Sequence, residues 1–461
     1  MAPWGKYFAA LVASAWLSAC ASVHNTPVNE PAHGSVVDQL HLGFKEVADE
    51  DDMLIGLAFS GGGTRAAAFS FGVLSAFDDI PVPRAKDKLL DRLDFISGVS
   101  GGSVTAAYYG LKKRAALSDF RERFLLQNAE EGLQTTLSLA TMGRALGGGI
   151  NDQQGLTRWL DAHLFHGATY GQFRAVGPPR VWINASDIYN RVPFVFGATA
   201  FTAICSDLTK FPLSNAVAAS AAVPVAFAPI VVKAYPGTCT DPLPQWITRS
   251  AANRNASPML RSFASAILRY REGKVPYIKL LDGGLVDNYG LAGFTISRES
   301  SDTPYGPLTP QQAVRLRRSM FLVVDAKAGL SGNWVRTPEG PSGAELMQAV
   351  ADTAIDASVG ASYIAFERTM TDWRNALVRW RCGLSAADRK RYGAPAGWNC
   401  RDLKFFIGRV GFDQLEPARA AELGKVPTRF HLPQRQVDEV IAAGRDALRV
   451  NPAMRDFLKS L

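Results

Sequence analysis

Short apolar runs alternate with longer segments of helical periodicity along the chain. Several of the runs are continuous, as expected for strands that are covered on both faces. They lie at residues 54–59, 93–96, 181–185, 194–200, 278–281 and 320–324. Helical patterns follow at residues 66–77, 103–117 and 215–222. The alternation predicts an α/β protein with a central, mostly parallel sheet.

Two regions depart from this alternation. Residues 118–145 are amphipathic without a neighbouring strand pattern, and they predict an inserted helical cap. Beyond residue 330 the pattern changes to a helix at 345–369, a strand at 405–410 and a final helix at 435–450. We expect residues 331–461 to form a C-terminal extension that packs on the core.

The N-terminus has the features of a processed signal. Lys6 precedes an apolar run at residues 7–17, which has the length of a secretory h-region and is too short to span a bilayer. The small residues before Cys20 resemble a bacterial lipobox, in which Cys20 becomes the lipidated first residue of the mature chain. Ala21 is not the aspartate that would suggest inner-membrane retention, so the resemblance implies an outer-membrane anchor in a bacterial cell envelope.

On this interpretation residues 1–19 are a lipoprotein signal peptide. Residues 20–50 lack apolar periodicity and are expected to act as a tether. An ordinary signal peptide cut nearby, or a buried N-terminal helix, is the alternative.

The remaining cysteines fit an exported protein. Cys205, Cys239, Cys382 and Cys400 are an even number, as expected where disulfides persist. The simplest pairing is local, Cys205 with Cys239 and Cys382 with Cys400, although four cysteines allow three connectivities. No C-x-x-C pair is present, so the sequence does not favour zinc, and we expect no metal or other cofactor.

The formal charge of +8 suits anionic lipid headgroups and could also suit nucleic acid. The exported location favours the lipid partner, and we expect no nucleic acid. Lys and Arg are scattered rather than clustered with aromatic residues, so an ordinary solvated surface is the alternative.

Glycines separate the first predicted strand from its helix in the motif "LAFSGGGTRAAAF". Gly61, Gly62 and Gly63 can adopt positive φ and turn successive amides toward one point, while the following helix adds a positive dipole end. Neither G-x-G-x-x-G nor a P-loop lysine is present, so an oxyanion hole is favoured over a phosphate site. A tight turn with close helix packing is the structural alternative.

A G-x-S-x-G motif centred on Ser100 follows the second predicted strand, in "DFISGVSGGS". A helix begins directly after it, which is the strand–turn–helix context that a nucleophilic serine requires. Gly98 and Gly102 relieve crowding around the turn. The alternative is a serine that merely bears a turn or caps a helix.

The base for Ser100 is harder to assign. His431 is the only histidine late enough in the chain for the Ser–Asp–His order of α/β-hydrolases, and no neighbouring feature orients it. His163 and His166 have the spacing of one helix face. In "KLLDGGLVDN", Asp282 ends a strand before Gly283 and Gly284, and its carboxylate could accept the serine proton directly. An ordinary Asp-Gly turn is the alternative.

Together, G-G-G-T-R at 61–65, G-V-S-G-G at 98–102 and D-G-G at 282–284 resemble the patatin-like phospholipase family. The stretch "AVAASAAVPVAFAPI" at residues 216–230 looks like the family's alanine-rich helix and proline break. The resemblance covers about residues 54–330 and implies a patatin-like, three-layer α/β/α catalytic domain, to which we assign residues 51–330.

The resemblance implies a Ser–Asp dyad without a catalytic histidine. Ser100 would be the nucleophile, Asp282 the base, the amides of Gly61 to Gly63 the oxyanion hole, and Arg65 the basic residue that follows. The expected activity is hydrolysis of phospholipid or lysophospholipid esters through an acyl-serine. An acyltransferase or thioesterase of the same fold is an alternative, as is a non-catalytic envelope lipoprotein that binds lipid or a protein partner.

An amphipathic segment at residues 257–274 offers a further hypothesis. Met259, Leu260, Phe263 and Ile267 fall on one helical face, with arginines nearby. Such a helix could rest on a membrane or pack on the protein core.

Overall fold

A computed structural model describes residues 25–36, 52–83, 85–134, 148–330, 332–336 and 338–461. Eight strands form one sheet in the order β5-β6-β3-β2-β1-β7-β8, and β4 pairs with β3 outside this path. The strands are β1 Met53–Phe59, β2 Phe95–Val99, β3 Arg180–Asp187, β4 Val192–Val195, β5 Ile230–Lys233, β6 Tyr277–Asp282, β7 Arg318–Asp325 and β8 Lys404–Gly411. Strands β3, β2, β1, β7 and β8 are parallel, whereas β6 is antiparallel to β3 and β5.

Helices cover both faces of this sheet. In chain order they are α1 Gly63–Asp79, α2 Gly101–Lys112, α3 Ala116–Phe120, α4 Gly155–Leu160, α5 Tyr170–Val176, α6 Ala198–Ala203, α7 Leu213–Ser220, α8 Gln245–Ala252, α9 Pro258–Arg271, α10 Gly284–Asp287, α11 Ala292–Glu299, α12 Pro310–Arg315, α13 Gly343–Cys382, α14 Ala386–Arg391, α15 Pro417–Gly424, α16 Gln434–Val450 and α17 Pro452–Ser460.

The alternation of side chains along β1 explains the three layers. Successive residues of a strand point to opposite faces. Ile55 and Leu57 join the core beneath α1, α2 and α16, whereas Leu54 and Ala58 join a second core beneath α11 and α13. A strand that is apolar at every position therefore holds two helical layers, and the expected α/β/α fold is confirmed.

The C-terminal residues complete the sheet and one of its layers. Strand β8 pairs with β7 in parallel over eight residues. Helix α16 crosses α1 closely at Gly72 and Gly444. The two helices are so close there that a side chain on either glycine would collide with a carbonyl oxygen of the other helix. The strand and final helix expected in this part of the chain are confirmed. Helix α17, whose first turn is capped by Asn451, was not predicted.

Two expected elements differ from the structure. The strand expected at 194–200 ends at Val195, because the chain turns there and α6 places Phe201 in an aromatic cluster with Phe196. The cap helix expected at 118–145 ends in a π-helical turn at Leu125. An Asx turn, in which the Asn128 side chain accepts from the Glu130 amide at 3.0 Å, redirects the chain. Residues 135–147 of the expected cap lie outside the described residues.

Residues 25–36, expected to belong to the tether, lie against the edge strand β5. The Val28 amide donates to Val231 O at 3.0 Å. The Asn29 side chain bonds both backbone groups of Lys233, at 2.7 and 2.9 Å. The lipidation candidate Cys20 and the expected signal peptide 1–19 lie outside the described residues.

Both local disulfides are present, Cys205 with Cys239 and Cys382 with Cys400. Within the described ranges, no helix is both long and apolar enough to cross a bilayer. The apolar face of α9 is buried through Leu260, Phe263 and Ile267. That helix therefore packs on the protein core, and the membrane-resting alternative for it is wrong.

Candidate active site

Ser100 occupies a strained turn between β2 and α2. Its φ of 50° and ψ of −124° are unusual for a residue with a side chain. Such strain persists only where the surrounding structure enforces it, and it is characteristic of the sharp strand-to-helix turn of a nucleophilic serine. The residue is only 4% exposed.

Glycines make this turn possible by close packing. A Cβ atom on Gly98 would lie 2.7 Å from Ser103 Cα, and one on Gly102 would lie 2.6 Å from Phe59 O. The turn is thus pressed against the end of β1, and the G-x-S-x-G spacing follows from that contact.

Asp282 lies beside Ser100 at the end of β6. Its carboxylate is buried and accepts a hydrogen bond from the Gly284 amide at 2.8 Å. Burial raises the pKa of Asp282 to about 6, although the Gly284 amide and the nearby Ser100 side chain oppose this rise by favouring the ionised form. A Cβ atom on Gly283 would collide with Asn184 O, so the D-G-G motif fits tightly against β3.

Ser220, at the end of α7, holds Ser100 and Asp282 together. Its hydroxyl accepts from the Ser100 amide at 2.9 Å and donates to Asn184 O at 2.6 Å. Its carbonyl accepts from the Gly283 amide at 3.1 Å. Sequence reasoning assigned no role to Ser220, although it lies in the alanine-rich stretch that carried the family resemblance.

The three glycines of the first motif form a loop beside Ser100. A Cβ atom on Gly61 would lie 3.3 Å from Ser100 Cβ, so this loop contacts the serine. Gly62 and Gly63 have φ of 137° and 58°, and α1 begins at Gly63. Amides of a first helical turn have no acceptor within the helix, and they lie at its positive end.

Asn288 accepts hydrogen bonds from the amide of Gly61, the first glycine of this loop. The Gly61 amide donates to Asn288 O and Asn288 Oδ1, each at 3.2 Å. The same Oδ1 atom would lie 2.8 Å from a Cβ atom on Gly284. Asn288 thus joins the glycine loop to the D-G-G turn. It is the last residue of the quoted aspartate motif, but only the fold reveals its contact.

Arg65 anchors the glycine loop through hydrogen bonds to two backbone carbonyls. Its buried guanidinium donates to Ala326 O at 2.8 Å and to Val426 O at 2.5 Å. Burial lowers the pKa of Arg65 to about 10, although the negative charges of Asp325 and Asp352 raise it in part. Arg65 therefore links the glycine loop to the end of β7 and to the C-terminal part of the chain.

The histidines have other surroundings. His431 is exposed and lies near Glu130. The ring of His163 stacks on Trp159 at 4.1 Å, and its Nδ1 atom lies 2.9 Å from Trp159 O. His166 ends the π-helical turn that follows α4. Among the residues that the structure describes, no three His, Cys, Asp or Glu side chains cluster as metal ligands.

These features define an α/β protein with a serine–carboxylate pair at the carboxyl edge of its sheet. Residues 57–295, more than half of the chain, match the family described as patatin-like phospholipase. The chain therefore belongs to the patatin-like phospholipase family, whose members are lipid acyl hydrolases.

Two solved structures are similar to it at low identity. Human GIVD cytosolic phospholipase A2 is 13% identical with a TM-score of 0.45, over 92% of this chain and 66% of that one. VipD from Legionella pneumophila is 13% identical with a TM-score of 0.27, over 92% of this chain and 70% of that one. The chain thus spans just under two thirds of the human protein's length. No curated protein sequence matches the chain.

Proposed function

We propose that the protein is a serine acyl-ester hydrolase of the phospholipase or lysophospholipase type, which acts on membrane lipids through Ser100 and Asp282. The observation that carries this proposal is the position of the Ser100 side chain beside the buried carboxylate of Asp282, whose ionised form it favours. Burial raises the pKa of that carboxylate to about 6. A base whose pKa lies near neutrality is ionised at pH 7, and it can return its proton later in the reaction.

Proton transfer and acylation follow from this geometry. The Asp282 carboxylate takes the hydroxyl proton while Ser100 Oγ attacks the acyl carbonyl carbon. Protonated Asp282 then gives this proton to the alcohol oxygen of the departing lipid fragment, and an acyl-serine remains. In the second half-reaction the carboxylate deprotonates a water molecule, which attacks the acyl-serine. Protonated Asp282 then gives this proton to Ser100 Oγ as the bond between Oγ and the acyl carbon breaks, so the fatty acid leaves and the hydroxyl of Ser100 is restored.

The amides of Gly62 and Gly63 are assigned to the oxyanion. Their positive φ values and their place at the start of α1 support donation to a negative oxygen beside Ser100. The Gly61 amide is held by Asn288 and keeps the loop in place. Loss of one such donor typically costs about 10²–10³ in rate.

Membrane anchoring through Cys20 is part of this proposal. The two disulfides support an exported location, because such bonds persist in oxidising compartments. A lipid anchor at the outer membrane would hold the enzyme in the envelope, close to its substrate.

A fluorophosphonate probe tests the nucleophile. We expect the purified full-length protein to be labelled on Ser100, as identified by mass spectrometry of the tryptic peptide. Ser100→Ala should abolish the labelling, while Ser118→Ala, at an exposed serine, should leave it unchanged. Labelling of Ser100→Ala at the parent level would refute the assignment.

A further inference from the structure

Exposed apolar and aromatic side chains and half-buried lysines form one continuous patch near the site. We name Ile188, Tyr189, Lys233, Tyr277 and Lys279 the tyrosine–lysine patch. Tyr189 is 68% exposed, Tyr277 48% and Ile188 40%. The ammonium groups of Lys279 and Lys233 lie 5.7 and 5.9 Å from the centre of the Tyr277 ring. The Ile188 amide donates to Lys279 O at 3.3 Å, so the five residues adjoin one another.

The turn that carries Ile188 and Tyr189 is held in a fixed shape. The buried Asp187 carboxylate accepts from the amides of Tyr189 and Asn190 at 2.9 and 3.2 Å. It also accepts from the hydroxyl of Tyr270 at 2.6 Å. A large apolar side chain kept exposed by a rigid turn suits binding to another apolar phase, because little conformational entropy is lost on contact.

Strand register places the patch at the mouth of the site. Asp282 pairs with Ala185, and Leu280 pairs with Asp187. Ile188 is therefore three residues beyond the level of Asp282 along β3, which is about 10 Å at the rise of a strand. The patch thus stands on the same carboxyl edge of the sheet as Ser100 and Asp282.

The charge of the patch indicates what it binds. No carboxylate among the described residues forms an ion pair with Lys233 or Lys279. Tyrosine favours the interface between water and acyl chains, and lysine is attracted to anionic headgroups. We propose that the tyrosine–lysine patch is the surface on which the protein rests on an anionic phospholipid bilayer, with the mouth of the site facing the lipid. This inference rests on the proposed function.

Vesicle sedimentation tests the patch in full-length protein that carries Cys20→Ser and Ser100→Ala, so that neither acylation nor lipolysis interferes. In this background, Lys233→Glu with Lys279→Glu should weaken binding to phosphatidylglycerol vesicles by at least about tenfold. Binding to phosphatidylcholine vesicles should change less than about twofold, since those headgroups carry no net charge. Tyr189→Ser with Tyr277→Ser should weaken binding to both lipids.

A matched control lies at the opposite edge of the sheet. Val176 precedes β3 and Lys404 begins β8, and both are exposed. Val176→Ser with Lys404→Glu should leave vesicle binding within about twofold of the background protein, as expected for charges outside the contact. If both patch variants bound phosphatidylglycerol as tightly as this control, or if the lysine variant lost binding equally on both lipids, the assignment would be overturned.

Soluble-ester activity separates this inference from the proposed function. With Ser100 restored, the patch variants should hydrolyse p-nitrophenyl butyrate at the parent rate, because the patch lies outside the reacting groups. A larger loss of ester activity than in the control would show that the patch belongs to the site rather than to a lipid-binding surface. If the parent itself were inactive, the proposed function would fail, whereas the vesicle comparison would still decide the role of the patch.

Discussion

Burial of Asp282 gives the site a base that changes its charge near neutral pH. Desolvation is the largest influence on this carboxyl group, and it raises the pKa to about 6. The Gly284 amide and the Ser100 hydroxyl keep the ionised form accessible. The carboxylate can therefore accept the serine proton at pH 7, but it is already protonated in mild acid.

The pH profile of kcat/KM should report this group. Since protonated Asp282 cannot take the serine proton, we expect activity on a soluble ester to rise with pH around a midpoint near 6. Below the midpoint the rate should fall by about tenfold per pH unit. Initial rates between pH 4.5 and pH 8 measure the curve. A rate that stays constant down to pH 4.5 would count against Asp282 as the base.

The roles of single residues differ in how well they can be predicted from the sequence. Ser100 and Asp282 could be predicted because each ends a strand within a glycine motif, and the strands bring these ends together. Ser220 and Asn288 could not, because their roles depend on contacts across 120 and 227 residues of chain. Arg65 was predicted as a basic position, but its buried bonds to two backbone carbonyls required the fold.

At the scale of elements, the crossing of α1 and α16 connects the glycine loop to the end of the chain. Helix α1 begins at Gly63 in that loop, and α16 packs along its length. The period of the apolar residues predicted both helices, but it could not show that they meet through Gly72 and Gly444. The end of the expected cap helix was equally hidden, because one asparagine side chain sets it.

Substitution of either crossing glycine should destabilise the protein. Gly444→Ala would push a methyl group into Phe69 O, and Gly72→Ala would do the same at Ile441 O. We expect each to lower the free energy of unfolding by about 2 kcal/mol or more. Gly360→Ala is the matched control, because no other part of the structure lies within 4 Å of that position in α13. It should raise stability by up to about 1 kcal/mol. Urea unfolding measures all three, and equal midpoints would contradict the close crossing.

At the scale of the whole molecule, the family match ends at residue 295, but the sheet does not. Later residues form strands β7 and β8, which extend the sheet. They also form helices α16 and α13, which cover its two faces. Arg409 of β8 also pairs with the buried Asp325 of β7 at 3.0 Å. The sequence predicted elements in this part of the chain, but their places in the sheet depend on long-range pairing that local patterns do not encode.

A chain that ends at residue 330 should therefore fail to fold cooperatively. It would lose strand β8, which pairs with β7. It would also lose helix α16, which packs on α1, and the long helix α13, which covers the second core. We expect loss of the near-ultraviolet circular dichroism signal and of a sharp thermal transition, relative to the full chain under the same conditions. A soluble fragment that melts in a single sharp transition would contradict this expectation.

The most direct test of the Ser100–Asp282 pair compares two substitutions on one soluble ester. Asp282→Asn should lower kcat by at least about 10³, because the amide cannot take the serine proton. The variant should also unfold at a higher temperature at pH 7, since burial raises the pKa of Asp282 and the ionised group destabilises the folded protein above that pKa. His431→Ala should keep kcat within about twofold of the parent, as expected for an exposed residue outside the site. Parent activity in Asp282→Asn, with loss of activity in His431→Ala, would contradict the assignment of Asp282 as the base for Ser100.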